Sequence, residues 1–179
     1  MTSIRVVPTA ELTAAEWSEL TDLCVAAFDE PWDGYWESIG PGVHVLAEEP
    51  GKGIVAHAAI VDRLLYPREA VLRAGYVEAV AVLPDRQLTG LGTMVMEVIN
   101  RMIDEGYELG ALGTGSHEFY ARLGWVTWLG PTWIRERNGQ LLRSPDEDGD
   151  IMVRLTPATP PGLDLSGPIS VDWRPGEVW

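Results

Sequence analysis

A chain of 179 residues, 46% of them apolar, has enough hydrophobic material for one globular domain spanning 1–179 with a sizeable core. Its 13 lysines and arginines stand against 27 aspartates and glutamates, a formal net charge of −14. That balance argues against nucleic acid and against an anionic membrane surface, both of which are bound through cationic residues, and fits either simple solubility or attraction to a polycation.

The opening MTSIRVVPTAE lacks the basic-then-apolar order of a signal peptide, and no apolar run in the chain is long enough to cross a bilayer, so a cytoplasmic location is expected. Ile4 to Val7 reads as a first strand ended by Pro8. Thr13-Ala14-Ala15-Glu16 has the form of a capping box, and Leu20, Leu23, Cys24, Ala27 and Phe28 continue one helical face. Cys24 is the only cysteine, a small core residue, and no disulfide or cysteine-rich zinc site can be built. His44, His57 and His117 have no metal-ligand spacing, so no metal is expected.

Asp29 to Gly42, DEPWDGYWESIGPG, interrupts the pattern with aromatics, acids, glycines and prolines. It reads either as a surface loop whose aromatics tuck onto the core or as a lid whose rings and carboxylates suit a hydroxylated, amine-bearing ligand. Val43 to Glu48 and Ile54 to Tyr66 then alternate as strands about the turn Pro50-Gly51-Lys52-Gly53, and Val71 to Leu83 follows as a third, making an antiparallel meander.

Tyr76 to Ile103 is a strand, a glycine-bearing turn and a helix in succession. Pro84 ends the β-branched run, and Leu91, Val95, Val98, Ile99, Met102 and Ile103 fall at the three- and four-residue intervals of an amphipathic helix that starts near Gly90. The turn Gln87-Leu88-Thr89-Gly90-Leu91-Gly92 is either ordinary turn chemistry or an anion site, where bare amides at a helix N-terminus meet a pyrophosphate. Its spacing is neither that of a P-loop nor that of a dinucleotide fingerprint. Gly106 closes the helix, Tyr107 to Leu112 makes the next strand, and strand, helix and strand form a right-handed parallel crossover. A short helix begins at Ser116 and ends at Gly124. Asn138-Gly139 predicts a type I′ hairpin, Asp146 to Asp150 an acidic turn, and Ile151 to Leu155 a strand. The tail from Thr156 is rich in proline and glycine, yet Ile169 to Trp173 is strand-like and two tryptophans follow closely, so the tail is expected to dock.

Gln87 to Gly92 fits the Gln/Arg-x-x-Gly-x-Gly/Ala signature of the GNAT acetyltransferase superfamily, and Phe119-Tyr120-Ala121-Arg122-Leu123-Gly124-Trp125 resembles the segment that follows the fifth strand in many of its members. Within the superfamily, Gly75-Tyr76-Val77-Glu78, Pro145 to Gly149 and the closing Asp172-Trp173-Arg174-Pro175-Gly176-Glu177-Val178-Trp179 look like the aminoglycoside 2′-N-acetyltransferases, a similarity that covers nearly the whole chain. The resemblance implies a mixed α/β fold with a central mixed sheet, splayed fourth and fifth strands and flanking helices. It implies acetyl-CoA as co-substrate, its pantetheine along Val80, Ala81 and Val82 and its pyrophosphate on the amides of Gln87, Leu88, Thr89, Gly90, Leu91, Gly92 and Thr93.

An ammonium has no lone pair for attack, so direct transfer needs a base; Glu78 matches that position, and Tyr120 matches the acid that protonates the leaving thiolate. The other reading makes Glu78 a strand residue paired with a cation and Tyr120 a core aromatic. For a polycationic aminoglycoside, the expected contacts are Asp33 and Trp36 in the early loop, Glu78, Gly113, the acidic Asp146, Glu147 and Asp148, and Glu177 with Trp179, whose α-carboxylate adds an anion beside a ring. The acidic run also reads as a solvated turn. Two positions depart from the family pattern: Ala79 stands where glycine is usual after the catalytic glutamate, and Glu177 where aspartate is usual. The alternatives left open are a GNAT enzyme for another amine and an idle acyl-CoA-binding domain; the assembly is open too, a homodimer among the options.

Overall fold

The computed structural model describes residues 1–32 and 34–179. Its elements, in order, are β1 Ser3–Pro8, α1 Ala14–Phe28, α2 Tyr35–Ile39, β2 Gly42–Glu49, β3 Gly53–Pro67, β4 Leu72–Val82, α3 Leu91–Gly106, β5 Leu109–Gly113, α4 His117–Ala121, β6 Val126–Thr127, β7 Thr132–Arg135, β8 Leu141–Arg143, β9 Ile151–Leu155 and β10 Ile169–Asp172. The fold is mixed α/β, with parallel and antiparallel strand pairs and helices on the connections. Residues 1–61 and 77–100 form one compact unit and residues 62–76 and 101–179 a second, so β3, β4 and α3 each contribute to both.

In the first unit β1 pairs antiparallel with β2, and β2 with the first half of β3. Thr13 caps α1 as the sequence predicts: its hydroxyl accepts from Glu16 N at 3.3 Å, and the Glu16 carboxylate accepts from Thr13 N at 2.7 Å. The helix buries Leu20, Leu23 and Cys24 against Val7, Leu46, Ile54, Ala79 and Ala81, so an amphipathic stripe and a strand face close one core. Asp29, left-handed at φ 56, ends it.

In the second unit β4 and β5 run parallel, as the crossover reading requires, through Ala74↔Leu109, Gly75↔Gly110 and Tyr76↔Ala111. The β4–β5 pairing stops at Tyr76, although β4 continues to Val82. β5 is covered by β9 and β9 by β6, both antiparallel. The tail contributes a strand: β10 lies antiparallel to the end of β3 and parallel to β7. Its approach depends on Gly130, where a Cβ would sit 1.8 Å from the Gly167 carbonyl oxygen. The β7–β8 turn corrects the hairpin prediction. Glu136 N bonds Gln140 O at 2.8 Å around a three-residue loop in which Gly139, at φ 84, has positive φ and Asn138 does not. A type I′ turn needs positive φ at both central residues; one extra residue allows a type I turn with a glycine bulge.

Candidate functional site

In the first unit the site is built on a kink in β4. Val77, Glu78 and Ala79 are all buried, with Glu78 only 6% exposed, in a buried run that begins at Ala74. Within it Ala79 is left-handed at φ 51, a conformation in which a Cβ crowds its own carbonyl. Here the glycine-to-alanine departure acquires a physical meaning, since glycine would adopt that angle without cost.

The Glu78 carboxylate is reached from α2. Gly34, at φ 74, starts that helix and lets Tyr35 turn inward, where its hydroxyl donates to Glu78 Oε2 at 2.8 Å. Around it Trp32 lies 4.1 Å from the Tyr35 ring and Trp36 5.9 Å, centroid to centroid. Trp36 itself donates from Nε1 to Thr21 Oγ1 at 3.0 Å and packs on Trp17. Of the two readings offered for the early segment, the described rings follow the first: they tuck onto the core, and one of them, Tyr35, delivers a hydroxyl to a buried carboxylate. Tyr35 was not singled out by the sequence. Asp33, the other expected contact there, lies outside the described residues.

Val80, Ala81 and Val82 carry β4 toward the glycine turn, with Ala81 buried and its neighbours half-buried. Leu83 N bonds Val55 O at 3.0 Å, and Thr89 Oγ1 donates to Arg86 O at 2.6 Å, which sets the turn's shape. Leu88 at φ 62 and Gly90 at φ 91 are both left-handed, and Leu88 is fully exposed. Such reversals point successive amides to one side of a turn. The first bond of α3 runs from Met94 N to Gly90 O at 3.0 Å, so the amides of Leu91, Gly92 and Thr93 precede any carbonyl they could reach within the helix. Nothing lies within 4 Å of where a Gly90 Cβ would be. This open, amide-rich helix start suits a phosphate-bearing ligand.

In the second unit Tyr120, on α4, is buried, its ring edge-on to Phe119 at 4.9 Å and to Trp125 at 6.3 Å. Burial pushes its phenol up to about 12, so the hydroxyl keeps its proton across the physiological range. Gly113 ends β5; a Cβ there would be 3.7 Å from Tyr76 Oη and 4.0 Å from the Trp179 main-chain carbonyl carbon. The Trp179 indole is buried and donates from Nε1 to Ser144 Oγ at 3.0 Å. Arg63 fastens the same segment by donating to the carbonyls of Val178 and Asp172, the latter at 2.6 Å, and Arg174 Nε donates to Glu177 O at 2.5 Å.

The acidic turn divides. Burial raises the Glu147 carboxyl above the usual carboxylate range, and the charges of Glu177, Asp150 and Asp146 raise it further, so four of the carboxylates share one field. Asp148 is placed otherwise: it pairs with Arg143, accepts from Thr132 N at 2.9 Å, and is held down to about 2, first by the Arg143 hydrogen bond. Asp146, Glu147 and Glu177 are thus brought together, whereas Asp148 staples β7 to the turn. Among the described residues no group of three or more His, Cys, Asp or Glu side chains is arranged to hold a metal ion, and no helix is long and apolar enough to cross a membrane.

A family model described as an acetyltransferase (GNAT) domain matches residues 9–127. An aminoglycoside 2′-N-acetyltransferase from Mycolicibacterium fortuitum is 36% identical over 180 residues, covering 98% of this chain and 91% of that protein. Among solved structures, the GNAT family N-acetyltransferase YhbS from Escherichia coli, in complex with CoA, superposes with a TM-score of 0.67 at 14% identity, covering 95% of this chain and 89% of that one. Escherichia coli ElaA gives 0.61 at 18% identity over 86% of this chain and 99% of that one. A GCN5-related N-acetyltransferase from Kribbella flavida gives 0.56 at 19% identity over 73% of this chain, which spans only 34% of that longer protein.

Proposed function

Since the chain belongs to the GNAT acetyltransferase family, we propose that it moves acetyl from acetyl-CoA to the 2′-amino group of an aminoglycoside, by direct attack in a ternary complex. The likeness to the Mycolicibacterium fortuitum enzyme supports the acceptor class. The observation that carries it is the field around Glu147, where burial and the Glu177, Asp150 and Asp146 charges raise a carboxyl, a crowding of negative charge that a ligand bearing several ammonium groups would relieve. A net charge of −14 draws the same class of ligand from solution.

In this reading the Val80, Ala81 and Val82 main chain lines the pantetheine arm, and amides from Gln87 to Thr93 hold the pyrophosphate. Glu78 takes a proton from the ammonium, directly or through a water, which exposes the lone pair that attacks the thioester carbonyl. The carbon–sulfur bond then breaks, Tyr120 gives its phenolic proton to the leaving thiolate, and the second proton shed by the nitrogen as it becomes a neutral amide restores the phenol. Glu177, Asp146 and Glu147 pair with the other ammonium groups, and Trp36 and the Trp179 terminus complete the acceptor contacts. Acetylation turns a cationic amine into a neutral amide, the chemical basis for assigning a role in antibiotic resistance.

A thiol-release assay over a panel of aminoglycosides tests this. Turnover with a 2′-amino compound and none with its 2′-hydroxy analogue is expected. Equal turnover of both moves the acetylated position elsewhere, turnover of polyamines alone replaces the acceptor, and acetyl-CoA binding without turnover of any amine overturns the enzymatic reading.

A further inference from the structure

Two buried histidines stand behind the Glu78–Ala79 kink, on strands that the proposed reaction does not use. The β2–β3 register pairs His44 with Ala59 and Leu46 with His57, so the two rings are diagonal neighbours on one face, two residues out of step. Both are inaccessible, at 1% and 0% exposure. Together with two groups at their ends they form a continuous chain. His57 Nδ1 lies 2.8 Å from the Ala79 carbonyl oxygen, His57 Nε2 lies 2.9 Å from His44 Nδ1, and His44 Nε2 lies 3.0 Å from Thr9 Oγ1. Thr9 is itself fixed, since Gly42 N donates to its hydroxyl at 2.8 Å.

The tautomers follow from the ends inward. A carbonyl only accepts, so His57 carries its proton on Nδ1 and presents a bare Nε2. His44 must then donate from Nδ1, which leaves its own Nε2 bare beside the Thr9 hydroxyl, whose one proton is shared between that nitrogen and the Gly42 carbonyl oxygen, each at 3.0 Å. Desolvation keeps both rings neutral, with His44 held down to about 4 and His57 to about 3, the latter lowered further by its partner. The Trp36 ring packs on both, edge-on to His57 at 5.7 Å and tilted against His44 at 6.1 Å.

The far end of this chain grips the one left-handed residue of β4. A non-glycine residue at such an angle is strained, and it persists only where its surroundings fix it. A buried carbonyl also needs a partner, and the imidazole supplies one. We propose that His57 is a positioning residue for acetyl transfer: braced through His44 and Thr9, its Nδ1–H pins the Ala79 carbonyl, locks the kink and so fixes the direction of the adjoining Glu78 side chain. This rests on the reading of Glu78 as the base.

Two substitutions at His57 separate the contacts. Asparagine places an amide N–H near the Nδ1 position and gives up His44; glutamine places a carbonyl oxygen near Nε2, keeps His44 and gives up Ala79. Steady-state kinetics and thermal melts are measured on both. His57→Gln is expected to lower kcat about 10- to 100-fold with the acetyl-CoA KM unchanged, the scale of a misplaced catalytic group, while His57→Asn recovers most of that loss. Equal losses in the two variants, or losses that simply follow their melting temperatures, overturn the proposal.

The same substitution in a Glu78→Gln background should cost little more, because both changes act on one step. Independent, multiplying losses overturn it too. Should His57→Gln not fold, Thr9→Val removes the brace while leaving both rings, and a several-fold fall in kcat at constant acetyl-CoA KM is expected; no fall overturns the proposal. The two readings fail separately. A Glu78→Gln enzyme with undiminished kcat removes the base, whereas a crippled Glu78→Gln enzyme beside indistinguishable His57 variants removes only the positioning role.

Discussion

Tyr35 donates its hydroxyl to Glu78 Oε2 at 2.8 Å across 43 residues of sequence. Its position on a five-residue helix makes the early aromatic segment part of the carboxylate's immediate surroundings. A hydrogen bond to a charged group contributes about 1.5–3 kcal/mol, and this one fixes which way the carboxylate faces. Tyr35→Phe, which removes only an oxygen, is therefore expected to lower kcat about 10-fold while sparing the acetyl-CoA KM. The loss should shrink for acceptors whose amine is already unprotonated, since these need less help from Glu78. A uniform loss across acceptors, or a weaker grip on acetyl-CoA, would assign Tyr35 a different task.

Glu78→Gln keeps the shape of the side chain and removes its basicity. General-base contributions run to about 10²–10⁴-fold, so kcat should fall within that range. The deficit should be greatest at low pH and narrow as pH rises, because a growing fraction of the amine then arrives without its proton. The pH–rate profile of the variant checks this, and a profile parallel to the parent's would remove Glu78 as the base.

Ala79→Gly addresses the kink from the opposite direction. Glycine relieves the left-handed strain but gives the unfolded chain more freedom, so the net stabilisation should be about 1 kcal/mol or less. Denaturant unfolding measures it. A destabilised variant would mean that the methyl group, buried against Leu20, Leu23 and Leu46 in the same core, contributes more than the strain costs.

How much of this was legible in the chain depends on the range of each contact. The Leu91 to Ile103 stripe, the Thr13–Glu16 capping box and the β4–α3–β5 crossover are written in local spacing, and they appear where that spacing puts them. Pairings set by register are harder to read. His44 and His57 lack metal-ligand spacing, yet they sit two residues out of step across one antiparallel pair, and same-face parity is the signal that joins them. Asp148 looked equivalent to its acidic neighbours until folding gave it Arg143 and Thr132. Tyr35 carried no local signal at all; only the fold of α2 over β4 defines its partner.

The histidine pair also makes stability depend on pH. Burial holds His44 at about 4 and His57 at about 3, below the 6.5 of the free side chain, so the unfolded chain takes up two protons that the folded one refuses. Stability from this source is complete above about pH 6.5 and falls as the pH drops toward 4, by up to about 1.4 kcal/mol per pH unit for each proton. Glu16 and Asp148, each held down to about 2 by hydrogen bonds, act in the same direction at lower pH still. Urea unfolding between pH 7 and 4.5 should show this slope, and a His44→Gln/His57→Asn double variant should flatten it. An unchanged slope would place the protons elsewhere.

The C-terminal segment offers a test of the acceptor side by itself. Arg63 donates to the Val178 and Asp172 carbonyls, and the Trp179 indole donates to Ser144, so its last residues are held by side chains rather than by strand pairing, which ends at Asp172. Removing 177–179 deletes Glu177 from the carboxylate field around Glu147, the Trp179 main chain beside Gly113 and the indole bonded to Ser144, while leaving β10 between β3 and β7. The aminoglycoside KM should then rise about 10-fold or more, with the acetyl-CoA KM nearly constant. Arg63→Ala should reproduce part of that rise because it frees the same residues without deleting them. Both effects are read from initial rates with each substrate varied in turn; equal rises in the two KM values would show that the segment supports the fold and not the acceptor.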